Sequence, residues 1–281
     1  MVPVSFGVRR GGAGRLALVQ RRSVVLLLIA SLLAGLGAVA PAGSRTALGN
    51  GAGPRTWYVG PGDGLGGGFP SCTFPDFTTG GGFDSSSGSI QRAVDAAATG
   101  DTIHLCDHTY ELTAGIDLAT SSATALTFEG ETTAGTIVDG LDAVRLFDAT
   151  GKDVTFVGLT LEDGRTESSG GAVNADDVTI RGAVFHSNSA GGYGGAIEAS
   201  GRVEVTDGTF IANAGETGAG ALSVAGAVTA VDSVFEDNTA GSYAGAVYAA
   251  SIAIVGGRFT RNVATLRDGG AIFANEGAVT I

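Results

Sequence analysis

The chain has 281 residues, of which 48 are glycine, 44% are hydrophobic and only 16% are charged; 28 acidic against 16 basic residues give a formal net charge of −12. Such a balance leaves no basic stripe to displace the counterions of a nucleic acid or to meet anionic lipid, and it excludes both as partners. Five of the basic residues, Arg9, Arg10, Arg15, Arg21 and Arg22, precede the first acid, Asp63, so the chain beyond them sits near −17.

Those arginines stand before an apolar run from Val24 to Ala40, which ends in the small residues Ala40-Pro41-Ala42. Basic, apolar and small segments in that order predict a signal peptide over residues 1–42, with an apolar run too short for a comfortable membrane span. Gln20-Arg21-Arg22-Ser23-Val24-Val25 keeps twin-arginine export open beside the general route, which the strong apolar core favours. The expected location is therefore extracellular or at the cell surface, with no membrane insertion in the mature chain. Residues 43–56 are Gly, Ala, Ser and Arg without periodicity and read as a linker.

Residues 57–100 read as an N-terminal cap. Trp57-Tyr58-Val59 is a short strand, and a glycine-rich loop from Gly60 to Gly88 carries Cys72. Ser89 caps an expected helix over Ile90–Ala98, whose Ile90, Val94 and Ala97 share one face, and Gly100 ends it. One amphipathic helix before a run of strands suits the open end of a solenoid, whose apolar interior would otherwise meet water. Cys72 and Cys106 are the only cysteines; in an oxidising compartment they are expected to form one disulfide.

From residue 101 to 281 the pattern is short strands separated by Gly, Asp, Ser and Thr, and no helical period returns. Ile103 and Leu105, Leu126 and Phe128, Val154 and Phe156, then Leu159 and Leu161 mark inward positions. Two frames then recur every 24 or 25 residues. One is Phe-x-x-Asn, with Phe185, Phe210, Phe235 and Phe259 each followed by Asn188, Asn213, Asn238 and Asn262. The other is Gly-Gly-Ala-aliphatic or Ala-Gly-Ala-aliphatic, at Gly170–Val173, Gly194–Ile197, Ala219–Leu222, Ala244–Val247 and Gly269–Ile272. Between them lie Val178-Thr179-Ile180, Val203-Glu204-Val205, Val228-Thr229-Ala230 and Ile252-Ala253-Ile254, which alternate with period two. Three strand segments per coil follow, about seven to eight coils, and a rod on the order of 35 Å long at one strand spacing per coil. Phe would then lie on Phe and Asn on Asn, the amides bonding along the stack. A leucine-rich repeat has a similar period, but it wants Leu at several fixed positions and a helix in each repeat, where this chain has Gly, Ala, Val and Thr.

The paired frames resemble the polymorphic outer membrane protein repeat, closely over the last 120 residues or so and more loosely before them. The stretch from Ser89 to Ala97, with Gly100-Asp101-Thr102-Ile103 and Tyr110, is similar to the start of many pectate-lyase-like β-helices. Both resemblances imply an all-β, right-handed parallel β-helix with a short N-terminal capping helix. They also imply a surface-displayed or secreted scaffold, adhesin-like, whose partners are cell-surface glycan or protein. The alternative is a carbohydrate-active enzyme, a polysaccharide lyase or glycoside hydrolase on the same fold.

The chemistry expected of such enzymes is sparse. Of the polygalacturonase motifs only Asp176-Asp177 is present, as a solvated turn. Lys152 is the only lysine, and Arg145, Arg165 and Arg181 are scattered. Asp207 and Asp232 fall on adjacent coils and are the catalytic candidates, since carboxyl groups about 5 Å apart suit a retaining glycosidase; both also stand where a turn favours Asp. His104, Cys106, Asp107 and His108 are the densest ligand types, yet no distant His completes a metal set, and neither metal nor cofactor is implied. Tyr193 and Tyr243, in loops two coils apart with Glu216 between, are the binding candidates, because exposed aromatic rings stack on sugars or anchor proteins. Finally, Ala278-Val279-Thr280-Ile281 starts another strand and stops, so the β-helix is expected to be incomplete at its C-terminus.

Overall fold

A strand with one apolar face and two bare edges needs a neighbour on each side, and a chain that returns every 24 or 25 residues supplies one by laying each strand against its counterpart a coil away. The computed structural model describes residues 53–60, 72, 87–266 and 270–281, all within one unit, Ala47–Ile281. The expected signal peptide, most of the linker, residues 61–71 and 73–86 of the glycine-rich loop, and residues 267–269 lie outside the described residues. The fold is a right-handed parallel β-helix of about 7 turns with one helix among the described residues. No described helix is long and apolar enough to cross a membrane.

The described strands form a 14-stranded, a 7-stranded and a 5-stranded sheet. The first joins the Val-x-Val and the Gly-Ala-aliphatic ladders, because Leu222–Val231 and Val247–Val255 run through the corner between them, with a bulge between Val224 and Ala227. The 7-stranded sheet carries the Phe column, which continues back through Leu161 and Val138 to Tyr110. The 5-stranded sheet pairs Arg165–Thr166, Ser189–Ala190, Ala214–Gly215, Thr239–Ala240 and Val263–Ala264. From Arg165 onward the coils thus have a fourth segment that the three-segment reading omits. Its strands are two residues long, too short to show a period, and its inward residues are Thr166, Ala190, Gly215, Ala240 and Ala264.

Phe185, Phe210, Phe235 and Phe259 stack with ring centroids 4.9, 4.8 and 4.6 Å apart and planes within 10° of parallel. The neighbouring asparagines form a closed polar ladder. Asn188 Nδ2 donates to Asn213 Oδ1 at 3.0 Å, Asn213 Nδ2 to Asn238 Oδ1 at 2.9 Å, and Asn238 Nδ2 to Asn262 Oδ1 at 2.9 Å. Each Oδ1 also accepts the backbone N–H of the preceding asparagine, and each Nδ2 also donates to a carbonyl one coil back, Phe185 O in the case of Asn213. Asn188, Asn213 and Asn238 are fully buried, which their complete bonding permits. The ladder is needed because the residue before each Asn (Ser187, Ala212, Asp237 or Arg261) is left-handed, with φ of 54–55°. A kink there interrupts the backbone ladder, and the side-chain amide replaces it.

The glycine frame has a steric origin. A Cβ on Gly195, Gly220 or Gly245 would run into the carbonyl oxygen of the corresponding glycine on the next coil, so the second position of the frame has to be Gly. The first position is Gly where φ is positive, at Gly170 and Gly194, and Ala where the chain instead makes the bridge Ala219↔Ala244.

At the N-terminal end the strand Thr56–Val59 pairs with Thr102–Leu105. The helix runs from Ser87 to Ala96, so Ser89 lies inside it and does not cap it, and the end expected at Ala98 comes two residues earlier. What stops the helix is Asp101: its carboxylate accepts the Ala98 N–H at 3.0 Å, the Trp57 Nε1–H at 2.8 Å and the Arg55 N–H at 2.7 Å. Burial pushes that carboxyl up, but these three donors together hold it below its ordinary value. Ile90, Ala93, Val94 and Ala97 close the core. Gln91 donates to Asp117 O and accepts the Asp117 N–H, both at 2.8 Å, completing the edge strand Ile116–Asp117 as a neighbouring strand would. Cys72 and Cys106 are disulfide-bonded across 34 residues with Cα atoms 5.5 Å apart, tying the cap to the first coil.

Truncating Phe210 to Ala opens a gap between two stacked rings and should cost about 3–5 kcal/mol in urea denaturation. Asn213→Ala strips partners from Asn188 and Phe185 and should cost about 3 kcal/mol or more, whereas Ile211→Ala on the outward side should cost under about 1 kcal/mol. Similar losses for all three would refute this division between core and surface. Reducing Cys72–Cys106 should cost about 3–4 kcal/mol, and tryptic digests of unreduced protein should contain the linked peptide pair.

Candidate functional site

Strand alternation decides what each coil shows to solvent. The residue after the aliphatic of the Gly-Ala frame points outward, and the register stacks these residues into one column: Asp117, Asp148, Asn174, Glu198, Ser223, Tyr248 and Phe273. The loop preceding each Gly-Ala strand adds a second column beside it, with Ser169, Tyr193, Gly218 and Tyr243 on successive coils. The Tyr193 ring lies over Gly218, where any Cβ would collide with it.

The two columns converge on aromatic rings. Tyr248 and Phe273 stack with planes 4° apart and centroids at 5.8 Å, and Tyr243 lies against both, at 5.3 Å from Tyr248 and 5.9 Å from Phe273. Tyr193 is 41% exposed and the other three rings are half-buried, so the platform presents ring faces to water. Burial raises the Tyr248 hydroxyl pKa, and Tyr243, Tyr193, Glu276 and Glu198 add to the effect, which places all four near that hydroxyl.

Glu198 is the unusual member of the column. Its Oε2 is buried with no hydrogen-bond partner. Burial pushes its carboxyl up to about 7, although a hydrogen bond with Ser223 pulls the other way. Tyr248, Phe273 and Glu198 were not singled out from sequence. The signal for them was the column itself, in which aligned coils give aromatic residues at the same position of two successive repeats.

The other sequence candidates are placed differently. Asp207 and Asp232 are exposed, with φ of 53° and 49°, at the turn where other coils carry Gly158, Gly182 and Gly256. They do the work of glycine with a short polar side chain that tolerates the left-handed region. Asp176 accepts the Ser200 hydroxyl at 2.5 Å and Asp177 the Arg202 N–H at 2.8 Å, both as turn bonds to the next coil. The His104 group does not converge. His104 pairs with Glu129 at 3.2 Å, Asp107 accepts the hydroxyls of Thr132 and Thr136, Cys106 is in the disulfide, and the half-buried His108 ring sits edge-on to Tyr110 at 5.3 Å.

Arg145 is engaged by the fold. It donates to Asp148 at 2.9 Å, Gly170 O at 3.0 Å and Ser169 O at 2.8 Å. Asp139, Glu162 and Asp163 bring carboxylate oxygens within 4.8 Å of one another, an oxygen set of the kind hard cations take. Glu216 lies apart from the platform's ring contacts and lines a trough of about 550 Å³ along the 5-stranded sheet, together with Arg165, Glu167 and the small residues of that ladder.

No known family profile matches the chain, and no curated protein matches it. One solved structure is similar. An arginine-to-alanine mutant of the PL6 family alginate lyase AlyGC aligns over 87% of this chain and 41% of its own length, with 10% identity and a TM-score of 0.39. The chain therefore spans less than half of that lyase, and no residue role passes across at that identity.

The raised pKa of Glu198 has a stability consequence. The unfolded chain ionises this group near 4.5 and the folded protein only near 7, so it erodes stability as pH rises through that window and the full penalty stands above it. Glu198→Gln should therefore raise stability by about 1–3 kcal/mol at pH 8 and change it little at pH 4. Thermal denaturation of both proteins at the two pH values checks this; an equal change at both would show that Glu198 ionises normally.

Proposed function

We propose that this protein is a secreted or surface-displayed β-helix that binds glycan on the aromatic platform of Tyr193, Tyr243, Tyr248 and Phe273. The observation that carries the reading is the platform itself: four partly exposed rings on neighbouring coils, held by the rigid coil register and flanked by the partly exposed polar side chains of Asn174 and Glu198. Sugar rings present C–H faces that stack on aromatic rings and hydroxyls that need polar partners, and this face offers both. Its acidic neighbour Glu276 is exposed, and Arg145, beside Asp148 of the same column, is occupied by that carboxylate and two carbonyls. The face therefore favours neutral over acidic glycans. The adhesin-like role and the polymorphic outer membrane protein repeat family belong to the same reading, supported by the Phe-x-x-Asn and Gly-Ala frames.

Cleavage of a polysaccharide is the weaker reading. A lyase needs a basic group free to take a sugar proton, and a retaining glycosidase needs two carboxylates aimed at one bond. Arg145 is committed to the fold, and Asp207 and Asp232 serve a turn.

The test is a titration calorimetry series with cellohexaose and xylohexaose as neutral probes and oligogalacturonate and oligoalginate as acidic ones. Binding of a neutral probe, weakened about tenfold or more by Tyr243→Ala or Tyr248→Ala, is the expected result, with no reducing ends or unsaturated products released from any of the four. Undiminished binding in the tyrosine variants would remove the platform as the site. Turnover abolished by Asp207→Asn or Asp232→Asn would promote the enzyme reading.

A further inference from the structure

Glu198 has no structural reason to be an acid. The residues at its position on neighbouring coils are Asn174, Ser223 and Tyr248, and the backbone ladder runs equally well through all of them. At Glu198 alone the column puts an ionisable group beside the platform, with Oε2 enclosed and lacking any protein hydrogen bond. A neutral carboxyl tolerates that enclosure, whereas a carboxylate there demands water or a cation. We infer that Glu198 is a positioning residue of the glycan face, whose proton keeps the platform assembled and whose loss opens it.

The groups facing Glu198 leave the change to this one side chain. Asn174 and Ser223 above and below it do not titrate in the relevant range. Tyr248 lies on the next strand but one of the same column, and the groups that act on its hydroxyl are Tyr243, Tyr193, Glu276 and Glu198 itself. Tyr248 is held protonated by burial and by those neighbours. Upstream, Asp148 is already paired with Arg145 at 2.9 Å. No described basic side chain is within ion-pair distance of Glu198, so an ionised carboxylate must turn outward to water. To do so it has to leave the enclosure it shares with Ser223, on the face that carries Tyr248 two coils on. Burial, which raises the carboxyl pKa to about 7, sets the midpoint near neutrality.

This inference rests on the glycan reading for its binding consequence, but it has a readout of its own. The near-ultraviolet circular dichroism of the tyrosines and the affinity for cellohexaose are measured from pH 5 to 9 in the full chain and in Glu198→Gln. The expected result is a tyrosine signal that changes with a midpoint near 7, an affinity about tenfold weaker at pH 9 than at pH 6, and a Gln variant that is flat in both measurements and resembles the acid form. A wild-type protein flat in both, or a Gln variant with the wild-type profile, would overturn the gate. If the tyrosine signal titrates and Gln abolishes the change but neither neutral nor acidic glycan binds at any pH, the gate stands and the glycan reading falls. If glycan binds with the same affinity across the range, the reading stands and the gate falls.

Discussion

Everything in this molecule depends on one constraint: the backbone N–H and C=O groups of each coil point along the rod axis and must be met by the coils above and below. A coil that gained or lost a residue within a strand would flip its side chains to the wrong face and break three ladders at once. Extra length is tolerated only at corners, which is where the bulge between Val224 and Ala227 lies. Where the chain kinks into the left-handed region, the backbone cannot maintain the ladder by itself. The asparagine amides then do so, with Asn188, Asn213 and Asn238 buried and saturated.

The same constraint makes the surface. Because counterparts stack at one strand spacing, an outward residue chosen independently on each coil becomes a member of a continuous column. Tyr248 and Phe273 are parallel to within 4° for the reason that Phe210 and Phe235 are, although one pair faces water and the other the core. A β-helix turns residues about 25 apart in sequence into immediate neighbours, so a site grows by one substitution per coil without disturbing the interior.

The electrostatic character of the face follows from the composition. Two of the basic groups are drawn into the fold, Arg145 into its loop and Lys152 onto Ser121 O, while Arg202, Arg258 and Arg261 pair with acids at the surface. Acids accumulate at turns, where Asp207, Asp232 and Asp237 take up positive φ, and there they remain solvated. Glu198 is the exception because its Oε2 is enclosed without a hydrogen bond and burial raises its pKa.

The sequence by itself determined the parallel β-helix, its period and the faces of its strands. Those features are local, repeated patterns of apolar, small and amide side chains, and repetition makes each one visible several times. It also pointed to the Cys72–Cys106 bridge, since two cysteines leave one pairing. It did not yield the true end of the helix at Ala96, because Asp101, which stops that helix, is held by Trp57 and Arg55 and by no helical pattern. It omitted the fourth ladder, whose two-residue strands have no period to read. For the candidate site it offered Tyr193 and Tyr243 as isolated loop residues. Only the tertiary structure decided that Tyr248, Phe273 and Glu198 share their face, because that depends on the register between coils, and on the burial of a single carboxyl that no linear pattern records.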